Sequence, residues 1–128
     1  MELATSRFHA RELIDISELA PVSIAVGSPE WPLGYELAGR VDRLCPWGLL
    51  GADDWEERYQ RRLEHIDPKL LVHELEALAA SRGRPGCVLL CWEPASEPCH
   101  RRLVASWLER ELGIEVPELQ PQQATLDL

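Results

Sequence analysis

Three short runs of residues along the chain have the character of β-strands. They cover residues 3–8, 21–27 and 87–92. The second run is rich in β-branched residues and is bounded by proline and glycine. The third run is continuously apolar, which is typical of a parallel strand that is covered on both faces of its sheet.

Apolar residues at helical spacing predict three helices. A capping-box pattern starts the first, over residues 53–66. Aspartate followed by proline starts the second, over residues 67–83. The third covers residues 101–112, and Gly113 stops it. Residues 9–19 suit a short helix or a turn-rich connection.

The alternation of these elements predicts an α/β fold with a mainly parallel sheet flanked by helices, in a Rossmann-like three-layer arrangement. Residues 1–118 would form one domain of ordinary size, and residues 119–128 a flexible tail. Residues 30–51 show no sustained period, and a long irregular loop of this kind is either functional or a failed assignment.

The net charge of the chain argues against one class of partner, and the lack of long apolar segments argues against another. The formal net charge of −9 argues against a non-specific grip on nucleic acid, which needs a basic surface. No run approaches the length of a membrane span, and the N-terminal residues lack the pattern of a signal peptide. These observations predict a cytoplasmic protein without membrane association.

The four cysteines are expected to be reduced thiols, because such a compartment disfavours disulfides. Cys91 lies in an apolar strand and is interpreted as an inert core thiol. A Cys91–Cys99 disulfide is geometrically possible but disfavoured by the compartment. Cys87 and Cys91 would lie about 13 Å apart on a strand that rises ~3.3 Å per residue, too far to share a metal ion. No metal site and no cofactor are predicted, and no glycine-rich nucleotide loop is present.

The tripeptide Cys99-His100-Arg101 carries the strongest chemical signal. A thiol at a helix N-terminus meets unpaired backbone N–H groups and the positive end of the helix dipole, which favour the thiolate. Cys99 is therefore a candidate nucleophile, His100 a candidate acid or base, and Arg101 an anion contact. Glu93, at the end of the preceding strand, could orient His100 or Arg101.

A structural interpretation of the same residues is equally open. The negative charge of Glu93 and Glu97 would oppose a thiolate at Cys99. Arg101 could form a structural ion pair with either glutamate, and His100 could simply be exposed.

Other polar side chains should gather with these, because ligands of open α/β sheets bind beyond the carboxyl ends of the strands. The candidate contacts to a substrate are Thr5, Ser6 and Arg7 at the end of the first strand, Ser28 after the second strand, and Tyr59 on the first helix.

The segment from residue 88 to 108 resembles the family known as domain of unknown function 488. Its members carry an apolar strand that ends in leucine, cysteine, a further residue and glutamate, here Leu90 to Glu93, and then Cys-His-Arg at a helix start. Residues 5–8, 21–29 and 44–46 also look similar. The resemblance implies a compact α/β domain with a cluster around Cys99, and it names no activity.

Three functional hypotheses follow. The first is an enzyme that binds a small anionic substrate, such as a nucleotide or another phosphate-like molecule, around Cys99. The second is a non-catalytic adaptor that uses the same pocket for a ligand or partner. The third is a thiol redox sensor that uses Cys99 with Cys91, which requires two neighbouring sulfurs.

Overall fold

A computed structural model describes residues 1–14, 16–27, 32–49, 51–92 and 99–120. It contains four β-strands and three α-helices. In chain order these are β1 (Glu2–Arg7), β2 (Leu19–Ser23), β3 (Gly39–Arg40), α1 (Trp55–Glu64), α2 (Pro68–Ser81), β4 (Gly86–Cys91) and α3 (His100–Leu112). Short 3₁₀ turns lie at Arg11–Leu13 and Asp42–Leu44.

The four strands form one parallel sheet in the order β1-β4-β2-β3. β4 is fully buried and pairs with β1 on one side and with β2 on the other. The predicted α/β fold with a mainly parallel sheet is therefore confirmed. β2 begins two residues earlier than predicted and includes Pro21, which lacks a backbone N–H donor. The short strand β3 pairs only with Val22 and Ser23, so no ladder bond of β3 requires that donor.

Local signals define α2 and α3 well. Asp67 caps α2 by accepting a hydrogen bond from the Lys69 amide at 2.9 Å, and Pro68 is the first helical residue. α3 ends at Gly113, which adopts a left-handed conformation with φ of 67°. Within the described ranges, no helix is both long and apolar enough to cross a membrane.

The predicted capping box of α1 does not form. The helix begins at Trp55, two residues later than predicted, and no side chain caps it. The preceding residues instead form turns, in which the Trp55 amide donates to the Ala52 carbonyl at 3.3 Å. A capping box needs both the right residues and an extended N-cap, and Asp54 at the N-cap position has φ of −102° and ψ of 26°.

All three helices contribute to the core on one face of the sheet. Their buried side chains there include Tyr59, Leu71 and Leu108. In the described part of the chain, the other face is covered by segments outside the α-helices, which supply Phe8 and, from the first 3₁₀ turn, Leu13. The sheet thus separates a helical layer from an irregular layer. In the described part of residues 9–19, the chain forms a 3₁₀ turn at Arg11–Leu13 and no α-helix, which agrees with the turn-rich alternative.

The chain after α3 bonds to the sheet, and Leu119, the first residue of the predicted tail, takes part. The Thr5 amide donates to the Pro117 carbonyl at 2.9 Å, and the Leu119 amide donates to the Thr5 carbonyl at 2.8 Å. Glu118 thereby lies beside β1 in a parallel bridge. Residues 121–128 of the predicted tail lie outside the described residues.

Substitution of Gly86, the first residue of β4, tests how closely β4 must pack against β1. A Cβ at Gly86 would lie 1.9 Å from the backbone oxygen of Glu2, which cannot move without parting β1 from β4. We expect Gly86→Ala to lower the free energy of unfolding by about 3 kcal/mol or more. Urea unfolding followed by tryptophan fluorescence measures the loss.

Gly39→Ala in β3 is the matched control. Its Cβ would meet the end of the flexible Leu78 side chain at 2.9 Å, so we expect a loss of only about 1 kcal/mol. Equal losses for the two variants would contradict the importance of the β1–β4 pairing.

Candidate functional site

The candidate site lies where β1, β2 and β4 end and α3 begins. Arg7 at the end of β1 is in register with Cys91 at the end of β4. Directly after β2, the Ile24 amide donates to the Leu90 carbonyl at 3.0 Å. Cys99 occupies the N-cap position of α3 in an extended conformation, and its side chain makes no capping hydrogen bond. The tripeptide from Cys99 is therefore at the strand ends, as the fold class predicts.

Cys91 and Cys99 are joined by a disulfide. The structure therefore shows this pair in its oxidised state, whereas the sequence predicted four thiols and an inert core thiol at Cys91. The end of β4 and the start of α3 bring the two sulfurs together across eight positions of sequence. Both residues are buried: Cys99 is 6% exposed and Cys91 is 0% exposed.

Cys45 and Cys87 are free and buried. The Cys45 thiol donates to the Ala25 carbonyl at 3.4 Å, and the Cys87 thiol donates to the Leu75 carbonyl at 3.2 Å. Burial raises the pKa of each thiol to about 11. Both therefore behave as protonated core residues at neutral pH.

His100 is held between the core and the disulfide. Its Nε2 lies 2.6 Å from the Ile24 carbonyl oxygen, which can only accept, so Nε2–H is the donor. In the neutral ring Nδ1 is then the basic nitrogen, and it lies 3.8 Å from the Cys99 Sγ. The residue is 6% exposed, in contrast to the alternative of a simply exposed histidine. The backbone thus fixes the orientation in which the basic nitrogen faces the sulfur.

Arg101 is a buried cation with a carboxylate partner. The residue is 1% exposed, and its Nε and Nη2 donate to the two carboxylate oxygens of Glu118 at 3.0 and 2.8 Å. Its Nη1 donates to the Cys91 Sγ at 3.0 Å. Sequence reasoning missed Glu118 and considered Glu93 and Glu97, both of which lie outside the described residues. No local signal marks Glu118, because the pair is 17 residues apart.

Thr5 belongs to the same network. Its hydroxyl donates to a Glu118 carboxylate oxygen at 2.6 Å and accepts from Arg102 at 2.8 Å. Arg102 also donates to the Val116 carbonyl at 2.9 Å. The predicted substrate contacts Thr5 and Arg101 therefore both make internal bonds that fasten the C-terminal segment to β1 and α3.

Of the remaining predicted contacts, Ser6 and Arg7 line a surface pocket of about 190 Å³ that Arg11, Glu12 and Glu118 also border. The pocket thus contains both cations and carboxylates beside the Arg101–Glu118 pair.

Tyr59 is buried in the core on the helical face of the sheet, in contact with His100. Its hydroxyl donates to the Leu44 carbonyl at 2.5 Å, and its ring meets the His100 ring edge-on at 5.4 Å. Burial raises the pKa of Tyr59, which keeps its hydroxyl protonated. Ser28 and Glu93, which complete the predicted site, lie outside the described residues.

These features define a parallel α/β protein with a disulfide, an imidazole and a paired guanidinium at the carboxyl ends of its strands. The chain belongs to the family described as Domain of unknown function DUF488, whose family model matches residues 41–108, more than half of its length. The match includes the disulfide and α3 as far as Leu108, but not β1 or β2. No curated protein and no solved structure matches the chain.

The buried ion pair yields a prediction about stability. Glu118→Ala would leave the Arg101 guanidinium buried without its carboxylate, and we expect a loss of about 3 kcal/mol in the free energy of unfolding. Glu74→Ala is the control, because the Arg43–Glu74 pair is exposed and should contribute less than about 1 kcal/mol. Equal and small losses in urea unfolding would contradict this role for Glu118.

The different environments of the cysteines predict a pattern of labelling. At about pH 8 the folded, oxidised protein should resist alkylation, since a pKa of about 11 leaves about one Cys45 or Cys87 thiol in a thousand ionised. Unfolding without reductant should expose two thiols, and unfolding with reductant should expose four. Mass spectrometry counts the labels, and four labels without reductant would contradict the Cys91–Cys99 bond.

Proposed function

We propose that the protein is a thiol-dependent redox protein in which Cys91 and Cys99 alternate between a dithiol and a disulfide. One observation carries the proposal: each sulfur of the pair has a basic or cationic group beside it. His100 Nδ1 lies 3.8 Å from one sulfur, and Arg101 Nη1 lies 3.0 Å from the other. A purely structural disulfide needs neither group, whereas a dithiol that ionises and reacts benefits from both.

The expected compartment supports reversibility. We place the protein in the cytoplasm, where thiols are kept reduced and disulfides are usually transient, catalytic or sensory. The pair would then rest as a dithiol and form its bond on oxidation. Both residues are buried; Cys99, the more exposed of the two, would react first, and Cys91 would resolve the intermediate.

The proposed reaction is thiol–disulfide exchange with a small disulfide substrate. Nδ1 of His100 takes the Cys99 proton, and the thiolate attacks one substrate sulfur, which breaks the substrate bond and releases one thiolate. Cys91, ionised beside Arg101, then attacks the Cys99 sulfur and releases the second thiolate. Two electrons pass from the pair to the substrate, and the two cysteine protons are available to the two released thiolates.

An enzyme that acts on a small anion is the second candidate, with Cys99 as nucleophile and His100 as acid or base. The pocket lined by Ser6 and Arg7 offers two cations, because Arg11 also lines it, but neither Cys99 nor His100 is among its lining residues. Glu12 and Glu118 line the same pocket and would oppose an anion. If Cys99 carries out no chemistry, the protein would be a non-catalytic adaptor that binds a ligand or partner in this pocket. The internal bonds of Arg101 and Thr5 make the redox function the better supported one.

Equilibrium with redox buffers tests the proposal. The protein is incubated at graded ratios of reduced to oxidised dithiothreitol, trapped by alkylation and analysed by mass spectrometry. We expect Cys91 and Cys99 to change state together in one two-electron transition while the fold is retained. The double variant Cys45→Ser/Cys87→Ser should show the same transition. The proposal would be contradicted if Cys91 and Cys99 react only after unfolding, or if they never form the disulfide.

The role of His100 predicts a rate effect. Glutamine at this position can still donate to the Ile24 carbonyl, but it has no basic nitrogen to face Cys99. We expect His100→Gln to slow the reaction of the reduced protein with a small aromatic disulfide by about 10-fold or more. His73→Gln on the exposed side of α2 is the control. An unchanged rate in a folded His100→Gln protein would remove His100 from the mechanism.

A further inference from the structure

We infer that Cys91, Cys99 and His100 bind a thiophilic divalent cation such as Zn²⁺ when the disulfide is reduced. One potential ligand atom from each side chain lies within 4.8 Å of the others, and all three residues are buried. No second group of this kind occurs in the described part of the chain. The inference rests on the proposed function only in requiring that the disulfide can be reduced.

The distances suit tetrahedral zinc. Zinc bonds of about 2.3 Å to sulfur and about 2.0 Å to nitrogen place a sulfur and a nitrogen ligand about 3.5 Å apart. The observed separation of Cys99 Sγ and His100 Nδ1 is 3.8 Å. Two sulfur ligands would lie about 3.8 Å apart, so the sulfurs must separate from their bonded positions. Reduction of the disulfide is what permits that separation.

The second hydrogen bond of His100 supports the role of a ligand. Histidines that bind metals usually donate their other ring N–H to a backbone carbonyl or a carboxylate, which fixes the ring and its tautomer. Nε2 of His100 donates to the Ile24 carbonyl at 2.6 Å, so Nδ1 faces the sulfurs with its lone pair. The ring is therefore already oriented for a metal ion at Nδ1.

The surrounding charges are compatible with a bound dication. Two thiolates would balance the two charges of Zn²⁺. The neighbouring Arg101 is already balanced by Glu118, with which it forms a two-pronged ion pair. Its Nη1 at 3.0 Å from Cys91 Sγ can donate to a thiolate that also binds the metal.

The sequence offers Cys87, Cys91, Cys99 and His100 as residues of zinc-ligand type, but no zinc site was predicted, because their spacings lack the two close pairs of a structural site and Cys87 and Cys91 are too far apart on one strand. In the fold the Cys87 thiol donates to the Leu75 carbonyl, apart from the cluster. The ligand set combines the end of β4 with the start of α3, and such a combination has no fixed spacing in sequence.

Three protein ligands would leave the fourth position of a tetrahedral ion for water or an exogenous thiol, as in catalytic rather than structural zinc sites. Oxidation by a disulfide would release the ion. Two thiolates would lose two electrons and form the Cys91–Cys99 bond, the oxidant would become two thiolates, and Zn²⁺ would leave. The metal would therefore report the redox state of the pair.

Metal titration of the folded chain tests the inference. The reduced protein is freed of reductant without air, dialysed against Zn²⁺ alone and assayed for metal per chain. We expect one equivalent in the reduced protein and none in the oxidised protein. Co²⁺ as a second probe should give sulfur-to-cobalt charge-transfer absorption with the reduced protein only.

Variants locate the ion. Cys99→Ser and His100→Gln should each abolish stoichiometric binding, whereas Cys87→Ser should retain one equivalent. Reduced wild-type protein that carries no zinc, or binding that survives in Cys99→Ser, would overturn the inference. Because the wild-type comparison needs no variant, a misfolded variant leaves the test intact. Redox cycling without zinc binding would refute the metal site alone, and absence of cycling would refute the proposed function.

Discussion

The pairing of β4 with a parallel neighbour on each side is the constraint on which the rest of the structure depends. All six residues of β4 are buried, because the helical layer covers one face of the strand and irregular chain covers the other. Parallel pairing also aligns the carboxyl ends of β1, β2 and β4 at one edge. α3 also begins at that edge, with Cys99 as its N-cap residue. The position of the candidate site is thus a consequence of strand direction.

A second constraint comes from the guanidinium of Arg101. A cation that is 1% exposed needs a partner, because desolvation of an unpaired charge costs several kcal/mol. Glu118 meets this need, and its backbone lies beside β1, where Thr5 completes the network. The path of the chain after α3 is therefore linked to a charge at the start of the same helix. The same guanidinium contacts Cys91, so one side chain serves both the fold and the proposed chemistry.

The sequence predicted those features that local signals determine. The apolar run of β4, the Asp67-Pro68 start of α2 and the Gly113 end of α3 each depend on neighbouring residues, and each appears in the structure. The capping box of α1 failed because the turns before Trp55 leave Asp54 without the extended backbone that a cap needs. Residue types at a helix start indicate a helix, but its first residue depends on the preceding chain.

The sequence indicated where the cysteine cluster lies, but not the disulfide within it or the partners of Arg101 and His100. The sequence placed Cys99 at a helix start and Cys91 near the end of a strand that was predicted to reach Trp92, and the two sulfurs meet because the end of β4 lies beside the start of α3. The partners of Arg101 and His100 come from residues 17 and 76 positions away, and sequence spacing carries no information about such pairs.

The contrast among the four cysteines follows from their surroundings rather than from their residue type. Cys45 and Cys87 lie in the core with carbonyl partners, where burial disfavours the thiolate. Cys91 and Cys99 are also buried, but they lie where a fixed imidazole and a guanidinium converge. Burial makes the first two inert, and in the second two it strengthens the influence of the nearby charge and base. Low exposure is therefore a poor guide to thiol chemistry until the neighbouring groups are known.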